Sequence, residues 1–571
     1  MDSAQSQGQG RKRQWQGGRG AKKQRTRKEK PIKEGSNDEV LLADVRALFA
    51  AQKLTNSPSK SEPSLDNPTA PEATSAEAPP TQDGELNTSA TLEGDKEADA
   101  ERLPEPFTEI EVKVLELSST GDGLAQYKSS KQIYVVPFTA PGDVIKVKVV
   151  RHLEHENYSH ADFISVITPG PLRDDNRINC KYFSTCSGCQ FQMLDYSTQL
   201  QHKRSIVGKA YRNFSQLPPE LVPIIKDTIG SPLQYGYRTK LTPHFDGPPG
   251  HRSKIDKRNG VKSHFKEVPE IGFMAKGARR TLDIEDCPIG TDIVRLGMKR
   301  ERALVAKEIN KYQKGATILL RESTARIRND DGKVSKTPPD TIKVKTEEYT
   351  DFKTCVTDNN GTSTEYIDDF VFTNTAGAFF QNNNSILSVF TQYIRDHILP
   401  PPSETSPKIK YLIDAYSGSG LFTITLASLF TSSTGIDIAA SSITSARENA
   451  RLNNLPPEQC TFIAADAPEL FKSVTYPKDE TVVVIDPPRK GCDESFLTQL
   501  LKFGPRRVVY VSCNVHTQAR DVGVLVRGME GKGTKYEIES LRGFDFFPQT
   551  GHVEGVAVLN RIEAEVEEKK D

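Results

Sequence analysis

Tyr411-Leu412-Ile413-Asp414-Ala415-Tyr416-Ser417-Gly418-Ser419-Gly420 decides how the C-terminal part of the chain is read. An apolar run ends in an acid and opens into a glycine-rich turn. Glycine allows the tight passage from strand to helix that lets a ligand approach the main chain. A second apolar run, Thr434–Ile438, carries Asp437. It lies roughly twenty residues on, where an acid can accept both hydroxyls of a ribose. Asp466 follows the third run, Thr461–Ala464, where it could meet an adenine. Further apolar runs at Val482–Ile485, Arg507–Val511 and Val556–Leu559 alternate with helical segments. This is the pattern of a doubly wound, Rossmann-like α/β domain, placed at residues 371–571. No G-x-x-x-x-G-K-[ST] loop is present to cradle a triphosphate, and the third glycine usual for dinucleotides is missing. S-adenosyl-L-methionine (SAM) fits better than either; a strand–turn–helix that binds nothing is the other reading.

The opposite end of the domain carries reactive groups. The fourth run breaks at Asp486-Pro487-Pro488-Arg489, and the fifth delivers Ser512-Cys513-Asn514. Ligands bind beyond the carboxyl ends of strands in open α/β sheets, so Asp486 and Cys513 are expected in one cleft. Gly551-His552-Val553-Glu554 precedes the last run and offers a carboxylate. A cysteine, a carboxylate and a methyl donor suit methylation of a pyrimidine at C5. Addition of a thiolate to C6 makes C5 nucleophilic; a base then removes the C5 proton and elimination frees the cysteine. The thiolate is the reactive form, so Cys513 is expected where its pKa is lowered, and a nearby sulfonium would help.

The chain has 571 residues, enough for three or four domains at roughly 150 residues each. Hydrophobic residues make up only 36%, which points to a long polar segment diluting a globular part. Lys+Arg and Asp+Glu are both 76, excluding a uniformly basic protein. The charges are segregated, however. Residues 1–35 hold eleven Lys/Arg against three acids, and residues 36–105 hold fifteen acids against five bases. The first reads as a disordered basic tail for nuclear import or phosphate contact, the second as an acidic linker. Inside the linker Val40, Leu41, Val45, Leu48 and Phe49 recur at helical spacing, predicting a short docking helix within Asp38–Leu54. No apolar run is long enough to span a membrane, and no secretory signal core opens the sequence. The protein is expected in the nucleus and/or cytoplasm, as a monomer, with a mitochondrial address less favoured.

Residues 106–168 show five short alternating runs with turns at Gly121-Asp122-Gly123 and Pro141-Gly142-Asp143, predicting an OB-like β-barrel. Residues 169–370 form a mixed central domain with strand-like runs at Tyr237–Pro243, Ile271–Met274, Thr317–Leu320 and Phe370–Thr373. A basic loop, Gly247–Lys266, interrupts it. Cys180, Cys186 and Cys189, with Cys287 in Asp286-Cys287-Pro288 downstream, can close a tetrahedral thiolate site. Zinc and an iron–sulfur cluster both satisfy such a set.

Phe379-Phe380-Gln381-Asn382, Asp414–Gly420, Asp486–Arg489, Val511-Ser512-Cys513-Asn514 and Gly551–Glu554 occur in an order that resembles the RNA (uracil-5)-methyltransferases, which make 5-methyluridine. The resemblance covers roughly residues 107–561. It implies Cys513 as nucleophile and Glu554 as proton acceptor. Gln381, Tyr416, Leu421, Asp437, Asp466 and Asp486 would line the pocket for SAM or the target base. Leu421 departs from bacterial relatives, which often carry a polar residue there, so a backbone contact is expected. The barrel looks like the TRAM domain of that family, an RNA-binding module. Some members hold a [4Fe-4S] cluster at this cysteine spacing, so the resemblance implies a cluster on Cys180, Cys186, Cys189 and Cys287, with zinc as the alternative.

A stacked uracil hides C6 from a thiol, so the target base must be flipped out of an RNA loop. Tyr237, Arg238, Lys240, His251, Arg252, Lys254, Phe265 and Phe379 are candidate RNA contacts. The tail, linker and barrel resemble the fungal tRNA (uracil-5)-methyltransferases acting on the T-loop uridine, so tRNA is the expected partner. Ribosomal RNA is the alternative substrate. A non-catalytic RNA-binding protein and a small-molecule SAM methyltransferase are the alternative classes.

Overall fold

A computed structural model of the chain describes residues 32–55, 103–128, 130–248, 264–331, 340–402, 407–465, 471, 474–528 and 534–562. Nearly all of the basic tail, most of the acidic linker, Asp466 and the core of the basic loop, with His251, Arg252 and Lys254, lie outside these residues.

The predicted linker helix is α1, Asn37–Thr55. Its apolar stripe explains where it docks: Leu41, Leu42 and Val45 are buried against Leu124, Ile133, Val135 and Tyr158. Those partners belong to the barrel, built from β1 (Glu109–Leu117), β2 (Gly123–Gln126), β3 (Ile133–Val136), β4 (Val144–Leu153) and β5 (Tyr158–Thr168). The strands close in the order β1-β2-β3-β5-β4. Alternation along β1 sends Ile110, Val112 and Val114 inward to Ile145, Val147 and Val149 of β4. Gly121, at φ +85°, makes the turn between β1 and β2.

The central part contains α2 (Tyr196–Phe214), α3 (Asp292–Glu308) and several short sheets. The Tyr237–Pro243 run is a strand only at Lys240–Leu241. Its neighbour Arg238 makes isolated bridges to Gly290 and Asn383 instead, so the segment threads between elements. The hairpin Thr362–Ile367/Phe370–Thr375 leads into the C-terminal domain.

That domain holds β7 (Tyr411–Ala415), β8 (Ser432–Asp437), β9 (Cys460–Ala464), β10 (Thr481–Ile485), β11 (Arg507–Ser512), β12 (Lys535–Phe544) and β13 (Glu554–Ile562). Its helices are α4 (Leu387–His397), α5 (Leu421–Thr425), α6 (Ala440–Leu452), α7 (Glu494–Phe503) and α8 (Val515–Arg527). β6, Lys226–Ile229, comes from the central part and pairs parallel with β12. The eight strands run β9-β8-β7-β10-β11-β13-β12-β6. The chain leaves β7 in one direction for β8 and returns on its other side as β10, so a topological switch point lies between β7 and β10. One face is covered by Phe390, Phe422, Phe462 and their neighbours, the other by Ile206, Val207 and Tyr211 of α2 with α7 and α8. β12 and the β6 edge were not expected from sequence. β6 has only four residues, two of them exposed charges, and makes a strand because its partner is there.

Among the described residues no helix is long and apolar enough to cross a membrane.

A fully buried ion pair joins α2 to the loop after β12. Lys203 Nζ bonds to Asp545, and neither side chain has exposed surface. Tyr196 OH donates to the same carboxylate at 2.9 Å, and the Phe547 N–H at 3.1 Å. Removing one member of a buried pair strands the other charge. Lys203→Met should therefore lose about 3–5 kcal/mol of stability, read as a lower urea midpoint at unchanged m-value; a shift within error would contradict this role.

Candidate active site

The functional groups gather where the sheet topology predicts. β13 runs antiparallel to β11 with Ser512 opposite Gly555. The start of β13 therefore lies beside the end of β11, and Glu554 beside Cys513. β10 ends one strand away and projects Asp486 and Arg489 over the same edge. Residues 513 and 554 are 41 apart in sequence, and the antiparallel register removes that separation.

Glu554 is 2% exposed, Cys513 and Asp486 are half-buried, and Arg489 is exposed. Burial holds the Glu554 carboxyl well above its ordinary range, and the neighbouring Asp486 adds to it, while Arg489 opposes. Burial, with Asp414 nearby, raises Asp486 to about 7. Burial also pushes the Cys513 thiol up to about 12, helped by Glu554 and Asp486; the Arg489 guanidinium, bonded to the thiol, pulls the other way. This differs from the expected low-pKa cysteine. Burial and two acids outweigh one arginine here, which holds Cys513 toward the thiol.

Local structure fixes these groups. Asn514 caps α8 by accepting the His516 N–H at 3.2 Å, and its amide donates to the Arg489 carbonyl at 2.9 Å. Thr517 Oγ1 donates to the same carbonyl at 3.2 Å. The Asp486–Arg489 loop is thus tied to the helix that follows the cysteine. Beneath it, Asp521 accepts from Tyr510 OH at 2.6 Å and the Cys492 N–H at 2.8 Å.

Across the switch point lies the glycine turn. Gly418 and Gly420 have φ of +55° and +92°, and a side chain at Gly418 would meet nothing within 4 Å. Tyr416 adopts the left-handed region, φ +64°, and its ring packs against Phe496. Asp437 accepts from the Gly418 N–H at 3.1 Å and the Ala439 N–H at 2.7 Å, which places its carboxylate at the turn. Asp414 lies underneath and accepts from Thr423 N–H and Oγ1; burial raises it to about 7. Asp414 Oδ1 and Ser417 Oγ are buried with no hydrogen-bond partner. Leu421 points into the core and its carbonyl accepts from Thr425 Oγ1 at 2.7 Å, so any ligand contact would fall to its N–H. Gln381 is buried next to Phe380, while Phe379 is 76% exposed. Arg321 donates to Asn382 Oδ1 at 3.1 Å and so holds this turn from the central domain.

Several expected RNA contacts are occupied. Phe265 is packed against Phe245, Tyr237 is buried with its hydroxyl on the Pro548 carbonyl, and Lys240 binds the carbonyls of Gly377 and Ala378. Phe379 remains as an exposed aromatic. Arg489 and His552 belong to motifs that were read, yet they were not assigned site roles. Their signal was proximity to Asp486 and Glu554. Ile438, 71% exposed immediately after Asp437, carried no sequence signal of its own.

All eight cysteines are free thiols. Cys180, Cys186, Cys189 and Cys287 line one cavity of about 500 Å³, which extends to Arg489 and His552. Burial, and their mutual proximity, pushes Cys189 and Cys287 up to about 12. Among the described residues no group of three His, Cys, Asp or Glu side chains is arranged to hold a single metal ion. Cys355, Cys460 and Cys492 lie elsewhere, with Cys492 beside the Tyr416 hydroxyl.

A thiol held up to about 12 gains thiolate with every step in pH below that value. Peptide-resolved alkylation of Cys513 should therefore climb about tenfold per pH unit across roughly pH 7 to 10. Levelling off above about pH 9 would show an ordinary thiol.

Comparison with known proteins gives matches along most of the chain. A family model described as tRNA (Uracil-5-)-methyltransferase matches residues 362–562, and a TRAM domain model matches residues 105–164. The chain is 41% identical over 545 residues to the tRNA (uracil(54)-C(5))-methyltransferase of Schizosaccharomyces pombe, covering 95% of this chain and 87% of that one. It is 40% identical over 480 residues to the Saccharomyces cerevisiae protein of the same name, covering 79% and 73%. Among solved structures, the Pyrococcus abyssi tRNA (uracil-54, C5)-methyltransferase in complex with S-adenosyl-L-homocysteine superposes with a TM-score of 0.53 at 24% identity. That superposition spans 79% of this chain and 100% of the other.

Proposed function

The chain belongs to the tRNA (uracil-5-)-methyltransferase family, and on that premise we propose that it methylates C5 of the T-loop uridine of tRNA, position 54, through covalent addition of Cys513 to uracil C6. The observation that carries the reading is the meeting of Cys513, Glu554, Asp486 and Arg489 at one sheet edge, assembled from three strands.

The residues at the switch point fit SAM. An acid at the turn for ribose hydroxyls, an exposed apolar Ile438 beside it, unpartnered Asp414 and Ser417 oxygens, and open space at Gly418 form a cradle for a nucleoside. Gln381, Tyr416, the Leu421 backbone, Asp437 and Asp486 are the residues that would hold it, with Asp466 outside the described residues. SAM supplies a methyl group on a cationic sulfonium when bound.

The chain's own residues divide the remaining work. Cys513 loses its proton to solvent, and its sulfur bonds to C6, moving an electron pair to C5 for attack on the methyl group. Glu554 takes the C5 proton, and the returning pair expels the cysteine. A carboxyl with a raised pKa is a stronger base than a solvated one and so suits this proton. Glu554 accepts this proton only as the carboxylate, the form that a cationic ligand beside this corner favours. Phe379 offers an exposed ring for an RNA base displaced by flipping.

With transcribed tRNA, Cys513→Ala should abolish methylation while RNA binding persists. 5-Fluorouridine tRNA, which has no C5 proton to lose, should leave a denaturation-stable adduct on Cys513. Glu554→Gln should stall after methyl transfer and accumulate the same kind of adduct with uridine tRNA. Turnover by Cys513→Ala, or product at a ribosomal RNA site alone, would overturn the proposal.

The four thiols fit a [4Fe-4S] cluster on Cys180, Cys186, Cys189 and Cys287. A soft all-sulfur donor set lines one cavity, and both a cluster and a zinc ion accept such a set. The group would cross-link the 180–189 loop to the 287 loop as a structural pin, outside the methyl chemistry. Protein purified without oxygen should be brown with about four irons per chain; colourless protein holding one zinc would refute the assignment.

A further inference from the structure

The methyl-transfer reading leaves unused the segment before the barrel. A cavity of about 120 Å³ has Cys513, Arg489 and His552 in its wall, and Gly35, Asn37 and Val40 complete that wall. The segment is anchored on both sides. Toward the barrel, Asp44 is buried and accepts from the Ser119 N–H at 2.5 Å and Ser119 Oγ at 3.2 Å. Arg46 pairs with Glu156 at 2.9 Å. Toward the catalytic domain, Glu34 pairs with Arg520 at 3.0 Å, and Arg520 also donates to the Lys490 carbonyl, next to Arg489. Gly35 lies against Thr517, which itself holds the Arg489 carbonyl.

Docking α1 on the barrel uses its apolar stripe from Leu41 onward together with Asp44 and Arg46. The turn before it does something else: it crosses to the catalytic loops and leaves the Asn37 amide exposed at the rim of the Cys513 cavity. Ten of the eleven Lys/Arg of residues 1–35 precede this turn, and the last, Lys33, is exposed within it. Lys33, exposed in this turn, therefore adds a positive charge beside the site for an RNA phosphate.

We propose that residues 34–46 are an intramolecular strap that walls the Cys513 chamber and positions the RNA there, with Asn37 contacting the nucleotide beside the extruded base. This rests on the proposed RNA methylation, and the test separates the two. The full chain is compared with a deletion of residues 1–31, which spares the strap, and a deletion of residues 1–37, which removes its tip but leaves the buried helix stripe; thermal midpoints confirm folding. Peptide-resolved alkylation of Cys513 needs no substrate. It should match the full chain in the shorter deletion and run several-fold faster in the longer one. KM for tRNA should rise about tenfold more in the longer deletion than in the shorter, and Asn37→Ala should raise KM more than it lowers kcat. Equal alkylation in the two deletions overturns the wall. Faster alkylation with equal KM overturns the RNA role. A full chain that methylates no RNA fails the functional reading, while alkylation still decides the wall.

Discussion

Asp545 stands at the centre of the architecture. It has no exposed surface, and its carboxylate is met by Lys203, Tyr196 and the Phe547 N–H. α2 supplies the first two, so a helix outside the α/β domain grips the loop that ends at Glu554. The rest of that loop is stitched in the same manner. The Gln549 backbone N–H donates to Gln199 Oε1 at 3.1 Å, its carbonyl accepts from Gln190 N–H at 2.7 Å, and the Gly551 N–H donates to Gln190 Oε1 at 2.9 Å. Buried charge without a partner is costly, so these groups have few alternative arrangements. The position of Glu554, the proposed proton acceptor, thus depends on residues that follow Cys189 in sequence.

The reactive groups present an electrostatic problem that the fold leaves unsolved in the free state. Two carboxyls and a thiol share a desolvated corner with one guanidinium. Burial disfavours every ionised form, and each anion raises the next. A cationic ligand next to this corner reverses the balance, favouring thiolate and carboxylate together. Under the proposed mechanism, seating the methyl donor would thus favour the thiolate of Cys513.

Much of the site was legible because its chemistry sits in short contiguous motifs at strand ends. Asp486 and Cys513 could be placed in one cleft from the rule that ligands bind beyond the carboxyl ends of strands. The barrel was legible from alternation in β1 and β4, and α1 from its apolar stripe. What failed was inference about surroundings. The expected acidic Cys513 is a raised thiol because burial desolvates it and because Glu554 and Asp486 arrive from other strands. Phe265, Tyr237 and Lys240 looked available for RNA, yet tertiary partners take them. Ile438 and Asn37 gave no local signal, since an exposed isoleucine and a helix-end asparagine are ordinary in sequence.

The amino-acid sequence by itself determined the kinds of elements, their order, and which residues carry reactive chemistry, because periodicity, glycine turns and side-chain identity act over a few neighbouring positions. Only the tertiary structure decided that β6 joins the edge of the catalytic sheet, that α1 and its leading turn reach the cavity at Cys513, and that the thiol is held protonated. Those outcomes depend on burial and on charges contributed by segments far apart in the chain, and desolvation is a property of the packed interior that no stretch of residues possesses alone.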